Sequence, residues 1–302
     1  MKDLLKLGDL TQQEITDILN LADQLKYEKA HGTAHKLLNG KTLGMIFEKS
    51  STRTRVSFEV GMFELGGNAL FLSNRDLQIG RGEPLEDTAR VLSRYLDVIM
   101  IRTFKQSDVE KLAEYASIPI INALTDYAHP CQVLADLMTI REYCGKLKGL
   151  KLAFIGDGNN MANSLIVGGI KTGMSVSIAC PNEYKPDTGI MNWANESGNF
   201  VCTDNIEEAA ADADVLYTDV WASMGFEDEA AVRRKAFTGY QINDKLLKCA
   251  KPGAIVLHCL PAHRGEEITA DVFEAHAKEI FDEAENRLHA QKAVLVKLLG
   301  KA

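Results

Sequence analysis

Short, uninterrupted apolar runs alternate with segments of helical periodicity along almost the whole chain of 302 residues. Runs that are apolar at every position, instead of alternating with polar residues, are typical of strands buried on both faces, and so of parallel sheets covered by helices. The nine predicted strands span residues 43–47, 69–72, 98–101, 118–121, 151–155, 175–179, 200–202, 215–218 and 254–259. The sequence therefore predicts an α/β fold built from doubly wound parallel sheets.

The length of the chain and the spacing of the predicted strands indicate two domains. Four strands precede a long helical segment that begins near Cys131, and five strands follow it. The last residues, from about 283 to 299, form one continuous helical pattern. We expect two doubly wound parallel-sheet domains, residues 1–147 and 148–285, with a C-terminal helix of about 286–302 packing back on the first.

Composition and charge argue against several classes of protein. The chain is 46% hydrophobic and 25% charged, as globular proteins are, and its net charge of −8 disfavours nucleic-acid and anionic-membrane partners. The start of the chain lacks an apolar leader and no run is long enough to span a bilayer, so we expect a cytoplasmic protein. The six cysteines form no CxxC pair, so neither a metal site nor a disulfide framework is predicted.

The segment after the first predicted strand has the residue types of an anion site. Ser51-Thr52-Arg53-Thr54-Arg55 opens a stretch of helical spacing. The first N–H groups of a helix lack internal partners and lie at the positive end of the helix dipole, and guanidinium groups bind oxyanions through paired donors. This segment therefore predicts a phosphate-binding cradle, with an ordinary capped helix and two solvated arginines as the alternative.

Polar residues also follow most of the other predicted strands. Arg102 ends the third strand, and His129-Pro130-Cys131-Gln132 opens the helix after the fourth, with Pro130 suited to the first helical position. In the second half, polar groups follow the strands at residues 156–160, 219 and 258–261. Because ligands gather beyond the carboxyl ends of parallel strands, these residues predict a binding site, although a surface Arg102 and a structural, buried His129 are alternatives.

In this order and spacing, the motifs resemble those of the aspartate/ornithine carbamoyltransferase family. The segments from Ser51 to Arg55 and from His129 to Gln132 are similar to motifs of the carbamoyltransferases in general, and Glu285-Asn-Arg-Leu-His-Ala290 is similar to their last motif. Two further segments, Asp219-Val-Trp-Ala-Ser-Met-Gly225 and His258-Cys-Leu-Pro261, are similar to motifs of the ornithine-specific members of the family. The likeness covers the chain from end to end.

The resemblance implies a reaction and an assembly. It implies transfer of the carbamoyl group of carbamoyl phosphate to the δ-amino group of L-ornithine, giving L-citrulline and phosphate, in arginine biosynthesis or urea-type metabolism. It also implies a homotrimer with active sites at the subunit interfaces. The two small-molecule substrates are then the expected ligands, and no cofactor or metal is expected.

The resemblance also implies roles for individual residues. Those implied to bind carbamoyl phosphate are Ser51, Thr52, Arg53, Thr54, Gln78, Arg102, His129, Pro130, Cys131, Gln132, Cys259, Leu260 and Arg287, with Gln78 reaching into the site of a neighbouring subunit. Those implied to bind ornithine are Asn160, Asp219, Ser223 and Met224. Those implied to take part in catalysis are Arg102, His129 and Cys259.

The chemistry of carbamoyl transfer is consistent with these roles. An uncharged amine attacks the carbamoyl carbon, the carbonyl oxygen gains negative charge, and each donor aimed at that oxygen lowers the barrier by roughly 3 kcal/mol. Arg102 and His129 are the candidate donors, and the proton acceptor for the amine is either Cys259 or the phosphate. Covalent catalysis by Cys259 is disfavoured, because the neighbouring His258 would point to the opposite face of a strand.

Asp219 indicates which amine is the substrate. A carboxylate pairs with the free α-ammonium group of ornithine, whereas it would repel the two carboxylates of aspartate. N-acetylornithine lacks that ammonium charge, and putrescine lacks the carboxylate of ornithine. Asp219 therefore favours ornithine, with a turn or helix-capping aspartate as the structural alternative.

Two other functions are compatible with parts of the sequence. Phe154-Ile-Gly-Asp-Gly158 resembles the dinucleotide turn of a nicotinamide-dependent dehydrogenase, but Met161 stands where the third glycine is expected. A non-catalytic binding protein of the same fold is the other alternative. It is disfavoured because every expected site position is filled.

Overall fold

The computed structural model describes residues 1–73, 82–222 and 229–300, and these ranges contain nine β-strands and twelve α-helices. The predicted site residues Gln78, Ser223 and Met224 lie outside the described ranges. The chain divides into two compact units, Met1–Ala135 with Asn286–Ala302, and Asp136–Glu285. This division falls inside the helix Pro130–Cys144, whereas the sequence places the boundary just after it.

The first unit is built around a four-stranded parallel sheet with the strand order β2-β1-β3-β4. Its elements are α1 (Gln12–Ala30), β1 (Thr42–Phe47), α2 (Thr52–Glu64), β2 (Asn68–Ser73), α3 (Leu85–Leu92), β3 (Val98–Arg102), α4 (Gln106–Tyr115), β4 (Ile120–Leu124) and the start of α5 (Pro130–Cys144). On one face of the sheet, Ile46, Ile99 and Ile101 pack with Val109 and Leu112 of α4. The central strands are buried, while the edge strand β2 is partly exposed.

The second unit is built around a five-stranded parallel sheet with the order β7-β6-β5-β8-β9. After α5 its elements are β5 (Lys151–Ile155), α6 (Asn160–Lys171), β6 (Ser175–Ala179), α7 (Thr188–Glu196), β7 (Phe200–Thr203), α8 (Ile206–Ala210), β8 (Val215–Thr218), α9 (Ala230–Ala236), α10 (Asp244–Leu247), β9 (Ile255–His258), α11 (Ala270–Ala275) and the start of α12 (Ala277–Leu299). Ile155, Leu216 and Val256 pack with Ile242 and Phe273 in its core.

The second part of α12 belongs to the first unit, as the sequence predicts. Lys292 of this helix is fully buried there, and its Nζ lies 2.7 Å from Glu64 Oε2 and 2.9 Å from His35 Nε2. The helix begins at Ala277, several residues before the predicted start near 283. The sequence pattern misses these first residues because Ile280 is the one fully buried side chain among residues 277–282.

All nine predicted strands are present, and the predicted fold class is confirmed. β4 begins at Ile120 instead of residue 118, because the intervening Pro119 has no N–H group to donate to the sheet. β9 ends at His258, so Cys259 follows the strand instead of ending it. No helix in the described ranges is both long enough and apolar enough to cross a membrane.

Candidate active site

The order of strands in the first unit brings three polar chain segments to one edge of the sheet. The chain runs outward from β1 to β2 and then returns to the other side of β1 to form β3 and β4. The ends of β1 and β3 therefore flank a topological switch point, where open α/β sheets bind ligands. Ser51 follows β1, Arg102 ends β3, and His129 follows β4.

Ser51 sets the start of α2 as its N-cap. Its side-chain oxygen accepts a hydrogen bond from the backbone N–H of Thr54 at 3.2 Å. Thr52 and Arg53, in the first turn, are exposed, while Thr54 is almost completely buried. The residues Ser51 to Thr54, which we call the anion cradle, thus lie at the positive end of a helix dipole.

Arg102 is held at the end of β3 by the neighbouring chain. It lies opposite Phe47 of β1, and its backbone C=O accepts the N–H of Glu48 at 2.9 Å. The pairing of β3 with β4 shifts register between Ile101 and Arg102, an irregularity of the kind that redirects a side chain at the end of a strand. The side chain of Arg102 is buried, which excludes the predicted alternative of a surface arginine.

Arg287 joins two of the predicted motifs. From α12 its Nη1 donates to Gln132 Oε1 at 2.6 Å, and its Nη2 donates to Thr54 Oγ1 at 3.3 Å. All three side chains are buried. A cation with several donors is therefore fixed between the start of α2 and the start of α5.

His129 lies in a strongly positive environment. Its pKa is held well below the usual 6.5, first by burial and then by the positive charges of Arg287, Arg102 and Arg53. The imidazole is therefore neutral at physiological pH and offers one N–H donor. Because the charges of three guanidinium groups all lower the pKa of this imidazole, Arg53, Arg102 and Arg287 all lie near His129 in the first unit.

Cys131 and Pro130 have structural roles in the first turn of α5. The Cys131 thiol is buried and donates to the backbone oxygen of Asn122 at 3.5 Å, and burial raises its pKa to about 12. It is therefore an uncharged thiol directed at β4. Pro130 is the first residue of the helix, as the sequence predicts.

In the second unit, the corresponding switch point lies between β5 and β8, which are adjacent in the sheet although β6 and β7 lie between them along the chain. Asp219 directly follows β8 and is buried. Its Oδ1 accepts from the backbone N–H of Val220 at 2.8 Å and from the Cys259 thiol at 3.0 Å, and its Oδ2 accepts from Asn159 Nδ2 at 3.1 Å. The predicted Asn160, the first residue of α6, is also buried.

The surroundings of Cys259 do not activate a nucleophile. Burial, followed by the negative charge of Asp219, raises the pKa of the thiol well above its usual value of 9.0. The neighbouring His258 accepts the N–H of Leu260 on Nδ1 at 2.9 Å and bonds Glu267 Oε1 through Nε2 at 3.0 Å. Both ring nitrogens of His258 are therefore engaged away from the sulfur, which agrees with the case against covalent catalysis.

His258 holds the chain in an unusual conformation beyond β9. Leu260 has a φ of +58°, in the left-handed region that residues other than glycine rarely adopt. Because the Leu260 N–H donates to Nδ1, the proton of the imidazole is on Nε2, facing Glu267. This positioning role of His258 is not apparent from the sequence, where the residue is only the neighbour of Cys259.

The glycine turn after β5 is filled by the protein itself. Asp157 forms a buried ion pair with Arg233 Nη1 at 2.7 Å, and burial raises the pKa of its carboxyl group to about 6. A side chain at Gly158 would meet the backbone of Lys185 and Pro186, which packs directly against it. The N–H groups of Met161 and Ala162 are already capped by Asn159. These contacts disfavour the dinucleotide-binding alternative, which needs such donors for a pyrophosphate.

Two clusters of described residues have potential metal ligands within 4.8 Å of one another. In the cluster of Asp219, His258 and Cys259, an ion would displace the hydrogen bonds just described. In the cluster of His263, Glu266 and Glu267, Arg234 Nε already donates to Glu266 at 2.9 Å. Neither cluster presents a set of ligands that requires an ion.

Comparison with known proteins matches the whole chain to one family. Residues 2–142 match the carbamoyl-phosphate-binding domain of aspartate/ornithine carbamoyltransferases, and residues 148–298 match their aspartate/ornithine-binding domain. The chain belongs to the aspartate/ornithine carbamoyltransferase family. The resemblance drawn from the sequence motifs is therefore confirmed.

Similar proteins of this carbamoyltransferase family come from distant organisms. Proteins named ornithine carbamoyltransferase from Anoxybacillus flavithermus and Oceanobacillus iheyensis are 58% and 56% identical to this chain, over 99% of it and over 96% and 94% of their own length. The solved structure of ornithine carbamoyltransferase from Pyrococcus furiosus superposes with a TM-score of 0.95 at 54% identity, covering 100% of this chain and 98% of that one.

Proposed function

We propose that the protein transfers the carbamoyl group of carbamoyl phosphate to the δ-amino group of L-ornithine, giving L-citrulline and phosphate. The observation that carries the proposal is the position of Arg287, which donates to Thr54 and Gln132 and, together with Arg102 and Arg53, acts on the neutral His129. Three cations, two of them buried, beside a helix N-terminus fit a small, doubly charged phosphate compound. The similar proteins named ornithine carbamoyltransferase support the same reaction.

The first unit is the proposed site for carbamoyl phosphate. The anion cradle binds the phosphate group through the first N–H groups of α2, the Ser51 and Thr52 hydroxyls and the Arg53 guanidinium. Arg102, His129, Gln132 and Arg287 contact the carbamoyl end, together with the backbone at Pro130 and Cys131. The assignments of Gln78, Cys259 and Leu260 to the same ligand stay predictions from the resemblance.

Arg102 and His129 are the proposed donors to the carbonyl oxygen. A neutral imidazole donates a hydrogen bond without releasing its proton, and the low pKa of His129 keeps it neutral during the reaction. The guanidinium of Arg102 adds positive charge in a buried site, where it stabilises a developing oxyanion more strongly than in water. The anion cradle stabilises the negative charge that develops on the departing phosphate.

The second unit is the proposed site for ornithine. Asp219 pairs with the α-ammonium group, and Asn160 contacts the same amino-acid end, while Ser223 and Met224 stay predictions from the resemblance. Because the pKa of the Cys259 thiol is raised, the thiol is protonated and has no capacity to accept the proton of the attacking amine. The phosphate leaving group is therefore the favoured proton acceptor.

An exposed apolar face of the first unit supports self-association. Val56, Val60 and Phe63, which are spaced i, i+4 and i+7 along α2, are 49%, 36% and 73% exposed. We call these three side chains the apolar face. Leu70 and Phe71 of the neighbouring edge strand are also exposed, on opposite sides of β2. Exposed apolar side chains along an edge strand are typical of an interface, which is consistent with the predicted homotrimer. The cytoplasmic location stays a prediction.

The test is a substrate panel. Carbamoyl phosphate is incubated with ornithine, putrescine, lysine, N-acetylornithine or aspartate, and the ureido product and released phosphate are measured. Ornithine is expected to give citrulline and phosphate in equal amounts. N-acetylornithine should give about 100-fold less product, because it leaves the buried Asp219 without a charged partner. Putrescine, which lacks the carboxylate, lysine, which has one methylene too many, and aspartate, whose second carboxylate Asp219 repels, should also give much less product than ornithine. Absence of product with ornithine, or a preference for aspartate, would contradict the proposal.

A further inference from the structure

Asn159 makes two contacts with opposite ends of its amide group. Its Oδ1 accepts the backbone N–H groups of Met161 at 2.9 Å and Ala162 at 3.3 Å, so it is the N-cap of α6. Its Nδ2 donates to Asp219 Oδ2 at 3.1 Å, across sixty positions of sequence. One side chain thus connects the start of a helix to the carboxylate after β8.

Two other asparagines show what capping alone requires. Asn205 caps α8 by accepting the N–H groups of Glu207 at 3.0 Å and Glu208 at 3.2 Å. Asn243 caps α10 in the same way, at 3.1 Å and 3.0 Å. Serine, aspartate or asparagine serves equally well at such positions. Capping therefore accounts for the oxygen of Asn159 but not for its donor to Asp219.

The bond from Asn159 fixes the orientation of the Asp219 carboxylate. Val220 N–H and the Cys259 thiol hold Oδ1, and Asn159 holds Oδ2, so the plane of the carboxylate is defined from both sides. Asn159 is itself fixed because the backbone of α6 anchors its oxygen. Without this donor, only Oδ1 would be held, and Oδ2 could change its direction as the carboxylate turns about its Cβ–Cγ bond.

We propose that Asn159 is a positioning residue for ornithine, acting through Asp219. It sets the direction in which Asp219 presents its oxygens to the α-ammonium group, and so contributes to the affinity for the amino acid without touching the carbamoyl donor. The inference rests on the proposed binding of ornithine by Asp219. Asn159 stands beside the predicted Asn160 and is absent from the residues that the motifs imply.

Asn159→Asp separates the two contacts, because aspartate keeps the capping oxygen and the size of the side chain but replaces the donor with a second carboxylate oxygen. The KM for ornithine is expected to rise about 10- to 100-fold, since a hydrogen bond to a charged group is lost and like charges are brought together. The KM for carbamoyl phosphate should stay within about twofold. Asn159→Ser, which removes the donor without adding charge, should give a smaller rise in the same KM.

Asn205→Asp is the matched control, because it makes the same replacement at a cap with no such donor contact. It should leave both KM values and kcat at the wild-type level. An unchanged ornithine KM in both Asn159 variants would overturn the proposal. Equal rises in both KM values together with a lower melting temperature would also overturn it, since they indicate only a weakened helix.

Crystal structures of the wild type and Asn159→Ser test the positioning without relying on turnover. The Asp219 carboxylate is expected to be turned in the variant relative to the wild type, and an unchanged orientation would overturn the inference. Failure of the wild type to form citrulline would instead contradict the proposed function, while the two crystal structures would still decide whether Asn159 orients Asp219.

Discussion

At the scale of single residues, positive charge dominates the surroundings of His129. Arg53, Arg102 and Arg287 all lower its pKa, and Arg102 and Arg287 are themselves buried. Like charges that are held close together repel one another, and binding of a dianion reduces that repulsion. The cluster is therefore better explained by ligand binding than by stability, as is common at functional sites.

Replacement of Arg102 separates its contribution to catalysis from its contribution to stability. Arg102→Met keeps the apolar stem of the side chain but removes the charge that we propose faces the carbonyl oxygen. We expect kcat to fall by about 100-fold or more, while the melting temperature stays close to that of the wild type because the buried stem is kept. Steady-state kinetics and thermal unfolding measure both. An unchanged kcat would remove Arg102 from the mechanism.

The lowered pKa of His129 predicts a dependence of stability on pH. Below pH 6.5 the unfolded chain binds a proton at this histidine that the folded protein does not bind, so the free energy of unfolding falls as the pH falls toward the lowered native pKa. The slope from one such group is at most about 1.4 kcal/mol per pH unit. His129→Gln should reduce the slope of urea-unfolding free energies between about pH 5 and pH 6.5.

An exposed histidine provides the control for that measurement. His31→Gln, at the exposed end of α1, should keep the wild-type dependence of stability on pH. If His129→Gln retains the full wild-type slope below pH 6.5, His129 is not the neutral, buried group that the structure describes.

The sequence predicts some of these residues better than others. Arg102 and His129 follow from their places at strand ends, because parallel strands bring those ends together whatever the details of packing. The contacts of Arg287 with Thr54 and Gln132 join residues more than 150 positions apart, so no local pattern contains them. The hydrogen bond from Asn159 to Asp219 cannot be predicted from the sequence for the same reason, since the local sequence indicates only that Asn159 is a helix cap.

At the scale of elements, the N-terminus of α2 stabilises the fold and is also the proposed binding site for the phosphate group. Ser51→Ala removes the cap to Thr54 and should lower the free energy of unfolding by about 1 kcal/mol. It also removes a hydroxyl of the anion cradle, so the KM for carbamoyl phosphate should rise by about 10-fold. Chemical denaturation and initial-rate kinetics measure the two effects.

Thr269→Ala is the control for Ser51→Ala, because Thr269 caps α11 through the N–H of Val272 at 3.4 Å and belongs to no proposed site. It should lower the stability by a similar amount with no change in the KM for carbamoyl phosphate. Equal effects of the two variants on that KM would mean that Ser51 acts only as a cap.

The elements themselves are largely predictable because of how parallel sheets bury their strands. Strands covered on both faces must be apolar throughout, so their positions can be read directly from the sequence. Their ends are less certain, as Pro119 at the start of β4 and Cys259 beyond β9 illustrate. The first turn of α12 escapes prediction because Ile280 is its one fully buried side chain, so the turn carries no apolar periodicity.

At the scale of the whole molecule, the apolar face predicts how copies of the chain associate. Phe63→Glu places a charge at the most exposed side chain of that face and should convert the expected trimer into smaller species. Phe281→Glu, at a similarly exposed phenylalanine of the second unit, should leave the trimer intact. Light scattering coupled to size-exclusion chromatography measures the mass. A monomeric wild type, or a trimeric Phe63→Glu variant, would contradict the assignment.

The proposed carbamoyl phosphate site is tested most directly by a crystal structure of the protein with a non-hydrolysable phosphonate analogue of carbamoyl phosphate. We expect phosphonate oxygens within about 3.2 Å of donors of the anion cradle, and the carbonyl oxygen at a similar distance from Arg102 and His129. An analogue bound away from these residues, or one that does not bind at saturating concentration, would contradict it.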